Sequence, residues 1–273
     1  MPVSPEISEL PGGLRVVTTP MASAQSVSVS VFVGAGSRGE EERTKGLAHF
    51  LEHMMFKGTP KRPSAIEVAE AIEGAGGVLN AYTAKEMTCY WDHVPDDRLE
   101  TGIEVLADML NNALLSPEEI DRERSVVQQE IKRTKDQPAA WTGELLGRAM
   151  YGDHPMGWST AGTEDTVAGL AQSDFRDWIG LWYGAPNTVV SVAGSTSHAA
   201  VVDIVGRYFL QGRRVEAPSV ASVDGSVPAR RAIGEARPIA QANVALGLPA
   251  LPRRDPDRYV LMVLNSILGR GMS

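Results

Sequence analysis

The chain has 273 residues and a mass of 29.3 kDa, with 43% hydrophobic and 22% charged residues, which allows one large or two medium globular domains and excludes a disordered or fibrous chain. The formal net charge of -8 speaks against a nucleic-acid surface, and the single cysteine, Cys89, excludes an internal disulfide or a thiolate metal cluster. No stretch approaches the roughly 18 apolar residues of a membrane span, and Met1-Pro2-Val3-Ser4-Pro5-Glu6 lacks the basic start and apolar run of a secretory signal, so a cytoplasmic protein without membrane or nucleic-acid partners is expected.

Leu14 to Val17 and the alternating Val27, Val29, Val31 and Val33 predict two strands, each with one buried face, pairing as an opening hairpin. From Gly46 to Phe56 the apolar residues Leu47, Leu51, Met54 and Met55 recur at helical spacing, and Lys57-Gly58-Thr59-Pro60 supplies the stop. Ser64 and Glu67 form a capping box for a helix through Val68, Ala71 and Ile72 that ends at Gly74-Ala75-Gly76-Gly77. Val78 to Val94 predicts a second hairpin, with Cys89 as a buried small hydrophobe in its second strand.

Two long amphipathic helices follow, Arg98 to Leu115 and Pro117 to Lys135. The second opens on Ser116-Pro117-Glu118-Glu119, which joins an N-cap, a proline at the first helical position and a capping-box glutamate. Further helices are expected over Trp141 to Met150, Ser173 to Trp182 and Ala199 to Leu210, with a strand at Thr188 to Ala193. This order of strands and helix blocks predicts an α+β fold, a layered antiparallel sheet with packed helices.

The composition turns to Pro, Ser, Gly, Val and Ala after Gln211, and the expected division is a domain over 1–210, a linker over 211–229 and a second unit over 230–273. That unit offers one strand candidate, Ala242 to Leu248, and one helix candidate, Asp257 to Leu268, too little to bury a core alone. Ala24-Gln25 before an early strand and Ala240-Gln241 before the late one form a weak internal echo.

On a helix, residues four apart have Cβ atoms roughly 5 to 6 Å apart, so His49 and His53 can offer both imidazoles to one ion. Glu52 lies beside the same face, where it can take a proton from water, and His-x-x-Glu-His is a known reversed zinc motif. Glu123 and Glu130, seven residues apart, stack on one helix face with Ile120 and Val127, and an inward stripe of that kind is costly unless the carboxylates meet a cation. Glu130 is therefore the expected third metal ligand. His93, His154 and His198 have no companion ligand at metal spacing and are expected to be structural or solvated.

The stretch from Gly46 to Thr59, with its His49-Phe50-Leu51-Glu52-His53 core, resembles the signature of the pitrilysin and insulinase group of inverzincin metallopeptidases, above all the processing-peptidase branch with its bacterial relatives. The resemblance implies that Glu130 is the third ligand and that Glu123 is a supporting acidic residue. The run Gly76 to Thr83, followed by Glu86 and Tyr90, is similar to the family's substrate-edge strand, which implies that Asn80 and Ala81 bind a peptide added by β pairing. It implies, too, a catalytic domain followed by a related second one that breaks off here, since Gly269-Arg270-Gly271-Met272-Ser273 is similar to a glycine-rich segment partway through the family's second domain. The arginine and tyrosine pair that the family's second domain contributes has no counterpart in residues 230–273.

The expected function is that of a zinc-dependent endopeptidase acting on extended peptides or unstructured segments. One Zn²⁺ per chain would be held by His49, His53 and Glu130, with Glu52 and Glu123 as catalytic carboxylates. The expected partners are a peptide substrate and a second subunit, in a homodimer or a heterodimer with a related chain. The alternative is a noncatalytic partner or scaffold subunit of the same fold, or an inactive fragment that still binds zinc. A closed structural zinc site would need four protein ligands where three can be named.

Overall fold

The computed structural model describes residues 4–209, 216–223 and 232–270. In chain order the elements are β1 (Glu6–Glu9), β2 (Arg15–Pro20), β3 (Ser26–Val33), α1 (Leu47–Met55), α2 (Ala65–Glu73), β4 (Val78–Thr83), β5 (Thr88–Pro95), α3 (Leu99–Asn112), α4 (Pro117–Asp136), α5 (Pro138–Tyr151), α6 (Glu164–Gly169), α7 (Gln172–Trp182), β6 (Thr188–Gly194), α8 (His198–Phe209) and α9 (Arg258–Asn265). The strands form one six-stranded sheet in the order β1-β2-β6-β3-β5-β4.

Period-two alternation builds this sheet. Val27, Val29, Val31 and Val33 are buried on one face of β3, while Ser28, Ser30 and Phe32 on the other are only partly covered. Val190 and Val192 of β6 and Tyr90 and Val94 of β5 continue the buried face, and the helices contribute Leu51, Met54, Ile103, Leu106, Val127 and Phe175 to the same core. The result is the expected α+β layering of helices on a sheet.

The opening hairpin does not form. β6 lies between β2 and β3, antiparallel to β3 and parallel to β2, which is the one parallel pairing among otherwise antiparallel ladders. Both early strands bury a full row of side chains and so need partners on both sides, and the apolar run from Thr188 supplies one that no local pattern announces. β1 and the short helix α6 were also without a clear sequence signal. The helices otherwise appear where their caps place them: Ser64 accepts from Glu67 N, and Ser116 from Glu119 N ahead of Pro117.

Past residue 232 the expected strand does not form, while the expected helix does. Ala242 to Leu248 pairs with no strand among the described residues, and Val244 and Leu246 stand 90% and 82% exposed, without the buried row that a strand of the sheet gains from its neighbours. The echoed helix does form, as α9, with Tyr259, Val260, Val263 and Leu264 exposed. Most of the expected linker, and Gly271, Met272 and Ser273, lie outside the described residues. No helix among the described residues is long and apolar enough to cross a membrane.

One core residue predicts a pH effect. Asp92 of β5 is fully buried with neither carboxyl oxygen hydrogen-bonded, pressed against α3 where a Cβ on Gly102 would fall 2.8 Å from Oδ1. Burial pushes its pKa from 3.8 up to about 7. Between those values the folded chain holds a proton that the unfolded chain has released, so this residue's contribution falls as pH rises through the window, by up to about 4 kcal/mol, and is level above about 7. Urea unfolding at several pH values should show Asp92→Asn gaining on wild type between pH 4 and 7. Parallel stability curves would contradict this.

Candidate metal centre

The helix that carries the histidines is anchored from upstream. Gly46 precedes α1 at φ +91°, a conformation and a closeness that suit glycine, since a Cβ there would meet the Ala161 carbonyl at 2.5 Å. Having no side chain, Gly46 cannot cap the helix, and Glu40 does so instead, accepting from Gly46 N at 2.9 Å and from Ala48 N at 2.8 Å. Leu47, Phe50, Leu51, Met54 and Met55 then turn into the core, which leaves His49, Glu52 and His53 on the face towards α4 and β4.

His49, His53 and Glu130 come together: their ligand atoms all lie within 4.8 Å of one another. The two Nε2 atoms are 3.3 Å apart, and Glu130 Oε2 is 3.7 Å from His49 Nε2 and 3.5 Å from His53 Nε2. Two donors each about 2.0–2.1 Å from a tetrahedral ion stand about 3.3 Å from each other, so the spacing and the nitrogen and oxygen donor set both fit Zn²⁺. Glu130 is 44% exposed while the two histidines are mostly covered, so the triad opens to solvent on the side of α4.

Glu123 does something different. Its Oε1 accepts from His53 Nδ1 at 2.9 Å, and Lys57 Nζ donates to its Oε2 at 2.5 Å. The first contact places the ring proton on Nδ1 and turns the Nε2 lone pair towards His49 and Glu130. Of the expected inward pair, Glu123 is buried and Glu130 is at the rim, because seven residues fall about 20° short of two helical turns, which carries Glu130 further from the centre of the stripe that Ile120, Val127 and Ile131 bury.

The electrostatics follow from this arrangement. Burial, with the neighbouring His53, pushes His49 down to about 4, so the ring is neutral and ready to ligate. Burial opposes the charge on His53, but the Glu123 hydrogen bond and the carboxylates of Glu130 and Glu52 hold its pKa above the ordinary histidine value. Glu123 is likewise burdened by burial and held low by His53 and Lys57. Burial raises Glu52, and the Thr83 hydroxyl, donating to its Oε2 at 2.5 Å, works the other way.

Asn80 and Ala81 lie on β4, an edge strand that pairs only with β5 among the described residues, with Asn80 facing outward, Ala81 packed on the core, and the Ala81 amide donating to Asn80 Oδ1 at 2.8 Å. The other histidines are engaged elsewhere: His198 bridges Ser8 and Thr18, His154 Nδ1 accepts from Met156 N, and His93 is exposed on β5. Cys89 is buried and its thiol is pushed up to about 11, as befits an inert core residue.

Lys57 and Thr83 were missed from the sequence. Lys57 sits four residues after His53, a spacing that could have marked it; Thr83 had no such signal. Replacing Lys57 with Met removes the cation that holds Glu123, and zinc affinity should fall about 10–100-fold, as for other residues that orient a ligand. A chelator-competition titration measures it, and an unchanged affinity would contradict the arrangement.

Comparison with known proteins gives concordant matches. Residues 15–164 match the family model described as Insulinase (Peptidase family M16), and residues 170–273 the model described as Peptidase M16 inactive domain. An uncharacterized zinc protease of Streptomyces coelicolor is 38% identical over 270 residues, covering 97% of this chain and 59% of that protein. A probable mitochondrial-processing peptidase subunit beta of Arabidopsis thaliana is 35% identical over 270 residues, covering 96% of this chain and 50% of that protein. The crystal structure of a protease from Helicobacter pylori superposes with a TM-score of 0.76 at 26% identity, over 81% of this chain and 53% of that one. The chain spans between half and two thirds of the length of each of these three relatives.

Proposed function

Because the chain belongs to the insulinase family of peptidases, family M16, we propose that it is the zinc-binding, peptide-cleaving unit of an endopeptidase acting on extended peptides or unstructured segments. The observation that carries this reading is the convergence of His49 Nε2, His53 Nε2 and a Glu130 oxygen beside the carboxylate of Glu52. Three protein ligands and an open side suit a catalytic site, where a structural site would be closed by a fourth. Zn²⁺ held by these residues supplies Lewis-acid polarisation of a peptide carbonyl and lowers the pKa of water to about 7.

The chain's own residues do the rest. Glu52 takes one proton from the attacking water as its oxygen bonds to the carbonyl carbon, and returns it to the nitrogen as the C–N bond breaks, leaving a carboxylic acid and an amine. Its burial supports this role by raising its affinity for that proton. Glu123 fixes the ring of His53. The exposed edge of β4, with Asn80 and Ala81, takes the peptide as an added strand, which favours substrates without structure of their own.

We extend the proposal to organisation. Residues 1–210 form the catalytic unit, since β6 near its end lies in the middle of the sheet. Residues 230–273 belong to a related unit, reached through the 211–229 linker. A second subunit, the same or related, pairs with the chain, and the exposed apolar face of α9 supports such packing. The test is cleavage of an unstructured fluorogenic peptide by the purified chain: activity lost to a chelator and restored by zinc supports the reading. Cleavage that survives complete metal removal would overturn it.

A further inference from the structure

We infer that Thr83 is a positioning residue for Glu52, pinning one oxygen of the base so that the other faces the cleft, from the last rung of the strand on which the peptide is laid. The inference rests on the reading of Glu52 as the base. Thr83 ends β4, opposite Thr88 in the closing pair of the β4–β5 hairpin. Leu79, Ala81 and Thr83 share the more buried face of β4, and β4 packs on α1.

The geometry is specific. Thr83 Oγ1 donates to Glu52 Oε2 at 2.5 Å, and among the described residues it is the one side chain hydrogen-bonded to Glu52. The rival acceptor, Thr88 Oγ1, is 3.4 Å away, and Thr88 gives its own proton to the Ala35 carbonyl at 2.9 Å. A short, charge-assisted bond prevails over a long neutral one. Thr88 is fully buried, and the register runs on through Tyr82 against Cys89 and Ala81 against the fully buried Tyr90, whose hydroxyl meets that of Tyr183 at 2.9 Å.

Two consequences follow. With Oε2 occupied, Oε1 is the atom of Glu52 left to accept a proton from water. The hydroxyl that orients the base also belongs to the edge strand, so a peptide that adds to β4 and stiffens it steadies the base as well. Losing one hydrogen bond to a charged group corresponds to about 10–100-fold, here in kcat with little change in KM, since Thr83 Oγ1 points at Glu52 and not along the strand edge.

The test compares Thr83→Val, which keeps shape and strand preference but lacks the hydroxyl, with Thr83→Ser, which keeps the hydroxyl. In the zinc-loaded chain Thr83→Val should lower kcat about 10–100-fold with KM and zinc content held, and Thr83→Ser should recover most of it. In the metal-free chain the ¹³C carboxyl signal of Glu52, assigned by its loss in Glu52→Gln, should move in Thr83→Val and stay in Thr83→Ser. An unmoved signal in Thr83→Val, or a serine variant as impaired as the valine variant, would overturn the inference. Absence of cleavage by the wild-type chain would count against the proposed function of the chain, while the carboxyl signal would still decide whether Thr83 holds Glu52.

Discussion

Glu52→Gln should leave about one zinc ion bound per chain and lower peptide cleavage about 10²–10⁴-fold, the range supplied by a positioned general base. Gln has the same shape and can still accept from the Thr83 hydroxyl, so the fold and the β4 contact are kept. What is lost is the ability to take a proton. Glu52 hydrogen-bonds neither histidine and stands outside the triad of converging donors, so metal content should not follow activity. Metal analysis and peptide hydrolysis on the same preparation measure both. Loss of zinc with activity would make Glu52 a ligand, and an unchanged rate would remove it from the chemistry.

Glu130→Gln should do the reverse, weakening zinc binding by more than the roughly 10–100-fold expected of residues that only orient a ligand and losing cleavage in step. Because Glu130 is 44% exposed and lies at the rim of the buried stripe of α4, the metal-free fold should hardly notice the change. Zinc that binds only the folded chain stabilises it, by about 4 kcal/mol when free zinc is 1,000 times the dissociation constant. Thermal unfolding with and without zinc should therefore show a large rise for wild type and little for Glu130→Gln. His49→Ala is expected to behave alike. Equal zinc-induced stabilisation in wild type and both variants would end the ligand assignment.

The sequence disclosed the parts of the site that obey local rules. The motif helix, the Ser64 and Ser116 caps and the stacked Glu123 and Glu130 follow from residues within a few turns of one another, and the structure brings His49, His53 and Glu130 to one point. What escaped were relations between distant segments. β6 enters between β2 and β3 some 170 residues after β2, Glu40 caps a helix whose own flanking residue is glycine, and Thr83 reaches Glu52 across a strand-to-helix gap. The partition of Glu123 to the core and Glu130 to the rim was equally hidden, because it depends on how far round the helix each carboxylate lies from the stripe of Ile120, Val127 and Ile131 that the rest of the fold covers.

The central claim is that two imidazoles and a carboxylate hold zinc with a side left open for chemistry. X-ray absorption spectroscopy at the zinc edge of the purified, zinc-loaded chain tests it most directly. The account predicts nitrogen and oxygen scatterers at about 2.0–2.2 Å, with the outer-shell pattern of two imidazoles that falls to one in His49→Ala. Sulfur at about 2.3 Å, or a spectrum without imidazole that His49→Ala leaves unchanged, would contradict it.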